Sequence, residues 1–211
     1  MSNIILDNYG YNRTLTNNGQ TFDVLVNGPA NAPGKGNVKG AEFSYQQTYD
    51  FLPGLLSGLG TQATFTYVKP SNIPNGVPLN ADQNNAPPVD TASLYANLPL
   101  TGLSTYNFNV AAFYDKSNVY ARFAYSWRSK FLLTNRDCCF PFLPVYALSG
   151  GQLDGSFFLT VNKNFKIGLE AQNLLNTVTK TAYLLNADGL LAPRSNFISD
   201  RQISLTTRLT F

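Results

Sequence analysis

Apolar and polar residues alternate with period two along much of this chain, most cleanly at its end. There Ile203, Leu205, Thr207, Leu209 and Phe211 interleave with Gln202, Ser204, Thr206, Arg208 and Thr210. A strand places successive side chains on opposite faces, so such a lane predicts one apolar and one polar surface. The same pattern recurs upstream. Phe165, Ile167, Leu169 and Ala171 form one lane, and Leu153, Gly155, Phe157, Leu159 and Val161 another, with Phe158 on the wrong side. Val119–Trp127, Tyr106–Tyr114, Ala63–Tyr67 and Ala41–Phe51 follow suit, the last interrupted by Gln47. A further strand is expected around Asn3–Tyr11, where the two lanes are not clearly separated.

Register supplies a second test. Folding the chain about Asp115-Lys116-Ser117-Asn118 so that Tyr114 faces Val119 sets Ala112 against Ala121 and Val110 against Phe123. Folding about Asn162-Lys163-Asn164 so that Val161 faces Phe165 sets Leu159 against Ile167 and Phe157 against Leu169. In both hairpins the apolar lanes share a face, which a one-residue slip would destroy. The connections alternate in length. Short ones lie at Leu52–Gly60, Asp115–Asn118 and Asn162–Asn164, and long polar ones at Asn12–Gly36, Pro70–Gly102, Ser129–Gly150 and Thr177–Phe197. Turns at one end and long loops at the other are the plan of an outer-membrane barrel. The expected fold is therefore all-β: an antiparallel transmembrane β-barrel portion of about eight strands, its last strand ending on the short-turn side.

Composition sharpens this picture. Charged residues make up 13%, against about 25% in soluble domains. Aromatics also reach 13%, with 15 Phe and 12 Tyr. The mean hydropathy of −0.13 suits strands that are oily on one face only. No apolar run approaches the roughly 20 residues of a spanning helix, whereas a spanning strand needs about 9–11. Lys39, Lys69 and Arg201 are the charges on the apolar lanes, near the loop side. Glu42, Asp50, Arg122, Arg128, Asp154, Lys166, Glu170, Asp200 and Arg208 occupy polar ones. That distribution follows the ~2–4 kcal/mol penalty for a basic side chain on a lipid face at mid-membrane.

The net charge of +3 is dispersed, which argues against nucleic acid as a partner. With no histidine, His-based triads and most catalytic zinc sites are excluded, and no cofactor is expected. Cys138-Cys139 reads as two free or loop-stapling thiols, or less readily as a vicinal disulfide or metal site. Arg122 and Arg128, with Asp154, Glu170 and Arg208, form either a lumen-facing charge ladder or part of a substrate path. Tyr95, Arg136, Phe140 and Tyr146 are candidate ligand contacts in the loops; Phe142 joins them as a loop aromatic, and all of these aromatics serve equally well to pack loops together. The start of the chain, Met1-Ser2-Asn3-Ile4, carries no signal peptide, so a fragment with an upstream export signal is expected.

Several stretches resemble a known family. The alternating strand that ends on Leu209 and Phe211 resembles the C-terminal assembly signal of outer-membrane proteins. Gly36-Asn37-Val38-Lys39-Gly40-Ala41-Glu42, then Phe51-Leu52-Pro53-Gly54-Leu55-Leu56-Ser57-Gly58-Leu59-Gly60, look like a TonB-dependent receptor. Ala121–Ser129, ending in Ser126-Trp127-Arg128-Ser129, and Leu169-Glu170-Ala171-Gln172-Asn173-Leu174-Leu175-Asn176 look like later strands of the same family. The resemblance implies a 22-stranded barrel plugged by an N-terminal domain, with TonB-powered uptake of a siderophore-iron complex or an oligosaccharide. Implied partners are outer-membrane lipid, the TonB complex through a plug, the barrel assembly machinery and a small-molecule ligand. The sequence has no plug or TonB-contacting segment, which puts transport by this chain alone in doubt. A complete eight-stranded barrel, a soluble β-sandwich binding module and an outer-membrane enzyme are the alternatives, the last disfavoured by the lack of histidine.

Overall fold

The computed structural model describes residues 5–31, 34–73, 94, 98–139 and 141–210. These form an all-β, antiparallel structure of three sheets. The strands are β1 (Ile5–Asn17), β2 (Gln20–Asn31), β3 (Asn37–Thr48), β4 (Leu59–Ser71), β5 (Tyr106–Lys116), β6 (Val119–Arg128), β7 (Phe131–Thr134), β8 (Val145–Ala147), β9 (Gly150–Asn162), β10 (Phe165–Gln172), β11 (Val178–Leu184), β12 (Leu191–Ile198) and β13 (Gln202–Leu209).

The largest sheet has seven strands in the order β13-β10-β9-β6-β5-β4-β3. These are the seven strands whose alternation is clear in the sequence. Pairing keeps parity across the whole sheet: Phe43 faces Phe65, Phe65 faces Phe108, Phe108 faces Trp127, and Phe157 faces Leu169, which faces Leu205. One face thus collects Phe43, Tyr45, Phe65, Val110, Phe123, Phe157, Leu169, Ile203, Leu205 and Leu209, all exposed. The opposite face carries Glu42, Gln62, Thr64, Asn107, Asn109, Arg122, Ser126, Arg128, Gln152, Asp154, Lys166, Glu170 and Arg208. Aromatics gather at the loop end of the apolar face, where Phe108 stacks on Trp127 at 5.3 Å and Tyr67 lies 5.3 Å from Tyr106. At the turn end, Tyr49 meets Phe51 edge-on at 5.9 Å.

Three sequence expectations change. The β5–β6 hairpin is tighter by two residues: Lys116 pairs with Val119 and Tyr114 with Ala121, so Ser117 and Asn118 alone make the turn, Ser117 at φ 59°. An even shift preserves the faces, so the expected lanes hold although the register differs. Residues 12–36 are not a loop. Asn17 pairs with Gln20 around Asn18-Gly19, both at positive φ (51° and 77°), and β1 and β2 form a separate two-stranded sheet. Asn-Gly is the strongest short hairpin signal, and the flanking residues Leu15, Phe22, Val24 and Val26 alternate with Thr14, Thr16, Thr21 and Asp23. The first strand accordingly pairs with β2, not with the main sheet, whose edges among the described residues are β3 and β13; Asn3 lies outside those residues. Finally, Ser129–Gly150 and Thr177–Phe197 contain β7, β8, β11 and β12, which raises the strand count from about eight to thirteen among the described residues.

Those four strands form a sheet in the order β12-β11-β8-β7. Leu132, Leu143 and Leu184 bury with Leu94 and Leu98 in a core flanked by Tyr146, Tyr183 and Leu191. The loops therefore own the densest apolar core among the described residues, while the long sheet leaves its oily face uncovered. No closed barrel is formed among the described residues; β13 pairs only with β10.

Phe158, the aromatic on the polar lane, has a local cause. Its ring lies over Gly168 of β10, where a Cβ would come within 2.3 Å of it. Phe113 covers Gly60 in the same way, at 2.2 Å. Gly168→Ala should destabilise the sheet by about 1–3 kcal/mol through overpacking, and Phe158→Ala should relieve most of that. A double-mutant cycle in denaturant tests the pair; additive effects would show that the ring and the glycine do not interact.

Candidate functional site

The polar face of the main sheet holds the candidate site. The even-numbered lane of β6 places Arg122, Ala124, Ser126 and Arg128 beside Asn107, Asn109 and Ala111 of β5 and Gln152 and Asp154 of β9. A cavity of about 470 Å³ opens where the loop sheet meets this face. Its walls are Asn107, Asn109, Ser126, Arg128 and Gln152 on one side and Ala147–Ser149 and Thr177–Lys180 on the other. A second cavity, of about 330 Å³, lies further down the face against Gln62, Thr64, Arg122 and Asp154. Asn109 and Ser126 line both, so the two make one polar tract.

Hydrogen bonds fix the walls. Arg128 donates from Nε to Ser104 Oγ at 2.9 Å and from Nη2 to the Gly102 carbonyl at 3.1 Å, and its guanidinium lies 3.7 Å over the Phe131 ring. It is committed to holding the loop approach to β5. Arg122 donates to Gln62 Oε1 at 3.2 Å and Asn109 to Thr64 Oγ1 at 3.3 Å.

Asn173, which follows β10, is the organiser that motif reading missed. It is buried at 4% exposure and adopts φ 54°, a left-handed conformation that asparagine tolerates better than most residues. Its N–H donates to Asp154 Oδ1 at 2.9 Å, its Oδ1 accepts the Thr177 N–H at 2.8 Å, and its Nδ2 donates to the Ser199 carbonyl. Thr177 Oγ1 then donates to the Gly151 carbonyl at 2.7 Å. Asn173 appears in the sequence within a family-like stretch, but nothing there distinguishes it from the neighbouring Asn176.

Of the other loop candidates, Arg136 stacks 4.6 Å over Phe142 and Tyr146 packs at the loop core, where burial raises its phenol pKa. Neither lines the cavities described. Tyr95 and Phe140 lie outside the described residues, as does Phe211; Leu209 is exposed on the apolar face, paired with Phe165. The structure therefore sets Arg122 and Arg128 on one polar face, six residues apart along β6 and each lining a different cavity, among amides and hydroxyls.

The loop sheet has its own electrostatic clamp. Asp137, 5% exposed, receives Arg194 Nε at 2.6 Å and Nη2 at 3.1 Å, the Tyr183 hydroxyl at 2.9 Å and the Cys138 N–H at 2.9 Å. Burial alone would raise the Asp137 pKa, but the hydrogen bonds from Arg194 and Tyr183 and the charge of Arg194 outweigh it and leave the carboxyl below its usual value. Among the described residues no group of three or more His, Cys, Asp or Glu side chains is placed to hold a metal. Comparison with protein-family models, curated proteins and solved structures finds no match.

Arg194→Ala should leave Asp137 buried without its charge partner and cost the loop sheet about 2–3 kcal/mol. Because the folded carboxyl is held low, its contribution is present above the unfolded value of about 3.9 and is lost as pH falls through the lowered folded value. Limited proteolysis of the loop strands across pH 2–6 should therefore show opening only at the acid end. In Arg194→Ala, opening should occur at higher pH; an unchanged profile would remove the clamp from the account.

Proposed function

We propose that this chain is the C-terminal membrane portion of a TonB-dependent outer-membrane receptor, a segment of a larger 22-stranded barrel. The observation that carries this reading is the continuous exposed apolar face of the seven-stranded sheet, opposite a polar face that bears the cavities. A monomeric soluble protein rarely exposes so large an apolar patch, and a β-sandwich would cover it with a second sheet. Lipid covers it here. The strands are 8 to 13 residues long, in keeping with a tilted membrane strand of about 9–11. The aromatic clusters at both ends match interfacial girdles.

Edges β3 and β13 support a segment over a complete eight-stranded barrel, since neither pairs onward among the described residues. In the assembled receptor the loop sheet caps the extracellular mouth, and the polar tract from Arg128 down to Arg122 faces the lumen. A small nutrient, either a siderophore-iron complex or an oligosaccharide, binds at the capped mouth and passes inward when TonB acts through the plug. The barrel assembly machinery engages β13, whose exposed apolar lane includes Ile203, Leu205 and Leu209. The role is transport, not catalysis.

Topology tests the proposal. In a Cys138→Ser/Cys139→Ser background within a full-length receptor, Asp188→Cys should label with an impermeant maleimide on intact cells, and Lys163→Cys should not. Equal labelling of the two would exclude the barrel topology. Phe123→Arg should reduce assembly by the equivalent of ~2–4 kcal/mol, and Ala124→Arg, one residue away on the polar face, much less.

A further inference from the structure

The pair Cys138-Cys139 plays no part in the transport reading, yet the fold holds it in a defined geometry. Both thiols are exposed and uncombined, and their sulfurs face one another at 2.9 Å. That is closer than the about 3.5–4.0 Å of ordinary nonbonded carbon contact, and within about 1 Å of the roughly 2.05 Å of a disulfide. The backbone around them is pinned on both sides. The Cys138 N–H donates to Asp137 Oδ1 at 2.9 Å, the Asp137 N–H to the Leu143 carbonyl at 3.0 Å, and the Phe142 N–H to the Cys139 carbonyl at 2.8 Å. Phe142 itself adopts φ 59°. Asp137 is in turn clamped by Arg194 of β12 and Tyr183 of β11.

We propose that Cys138 and Cys139 form a reversible dithiol–disulfide modification site, which low-molecular-weight disulfides oxidise to an intramolecular Cys138–Cys139 bond. One cysteine thiolate attacks a sulfur of oxidised glutathione, forming a mixed disulfide and expelling one glutathione thiolate. The neighbouring cysteine thiolate attacks the mixed disulfide and expels the second. Two cysteine thiols are oxidised, one glutathione disulfide is reduced to two glutathione thiols, and the two cysteine protons end on them. The second step is fast because the attacking sulfur is already in contact with its target, an intramolecular arrangement of high effective concentration. Exposure at a loop admits the oxidant.

The test uses the purified full chain, equilibrated in buffers of graded reduced-to-oxidised glutathione, acid-quenched, unfolded, treated with N-ethylmaleimide and weighed by mass spectrometry. The expected result is concerted loss of both maleimide adducts, with a product two hydrogens lighter and no bound glutathione, reversed by dithiothreitol. Cys139→Ser should instead accumulate one stable glutathione adduct on Cys138. Persistent adducts of one or two glutathiones on the native sequence, disulfide-linked dimers, or two maleimide adducts at every ratio would each overturn the proposal. The readout concerns chemistry at this loop alone, so its failure leaves the barrel reading standing, and failure of the barrel reading leaves it intact.

Discussion

Backbone hydrogen bonding under a fixed two-face parity is the constraint on which the rest of this structure depends. Seven strands pair with one register break, a bulge where Phe165 meets Asn162, so the apolar lane from Phe43 to Leu205 lands on one surface, with Phe113 and Phe158 as aromatic exceptions on the other. In a hydrocarbon setting the backbone must satisfy itself between strands, and the outward side chains must then be oily. The same parity gathers the polar lane on the opposite face, and it is this lane that builds the cavities. Site and apolar surface are two consequences of one periodicity.

The two large-scale parts of the fold are stabilised differently. The main sheet relies on its ladder, and its side chains stay exposed even at β13. The loop sheet carries a conventional core of leucines around Leu132, which is fully buried, and locks it with the Asp137–Arg194–Tyr183 clamp. Asn173 and Arg128 tie the loops to the ends of the main-sheet strands through their hydrogen bonds. Arg128 was a ligand candidate by sequence; its hydrogen bonds to Ser104 and Gly102 make it a positioning residue for the loop approach to β5.

Much of this was legible in the sequence because period-two alternation is a local property. The seven sheet strands, their faces and the pairs Leu159–Ile167 and Phe157–Leu169 could be read from neighbouring residues, but not the bulge at the turn, where Phe165 pairs with Asn162 and not with Val161. Much of what could not be read depends on contacts distant in sequence. The loop core joins Leu94, Leu132 and Leu184, which no window spans. The β1–β2 hairpin carries its own short lanes about Asn18-Gly19, with Leu15, Phe22, Val24 and Val26 on one side and Thr14, Thr16, Thr21 and Asp23 on the other, so it too is local in the sequence. Phe158 looked like an error of patterning until Gly168 was seen beneath it, and Asn173 gains its role only once β9, β10 and the loop approach are assembled.

The central claim, that lipid covers the apolar face, is most directly tested by the fluorescence of Trp127, the single tryptophan of the chain. It sits on that face at the loop-side girdle. In the full-length receptor with its other tryptophans replaced, reconstituted in phosphatidylcholine vesicles, its emission should be blue-shifted and quenched by lipids brominated on the acyl chain, more strongly by shallow than by deep bromines. Red emission with no response to bromination at any depth would place Trp127 in water and contradict the account.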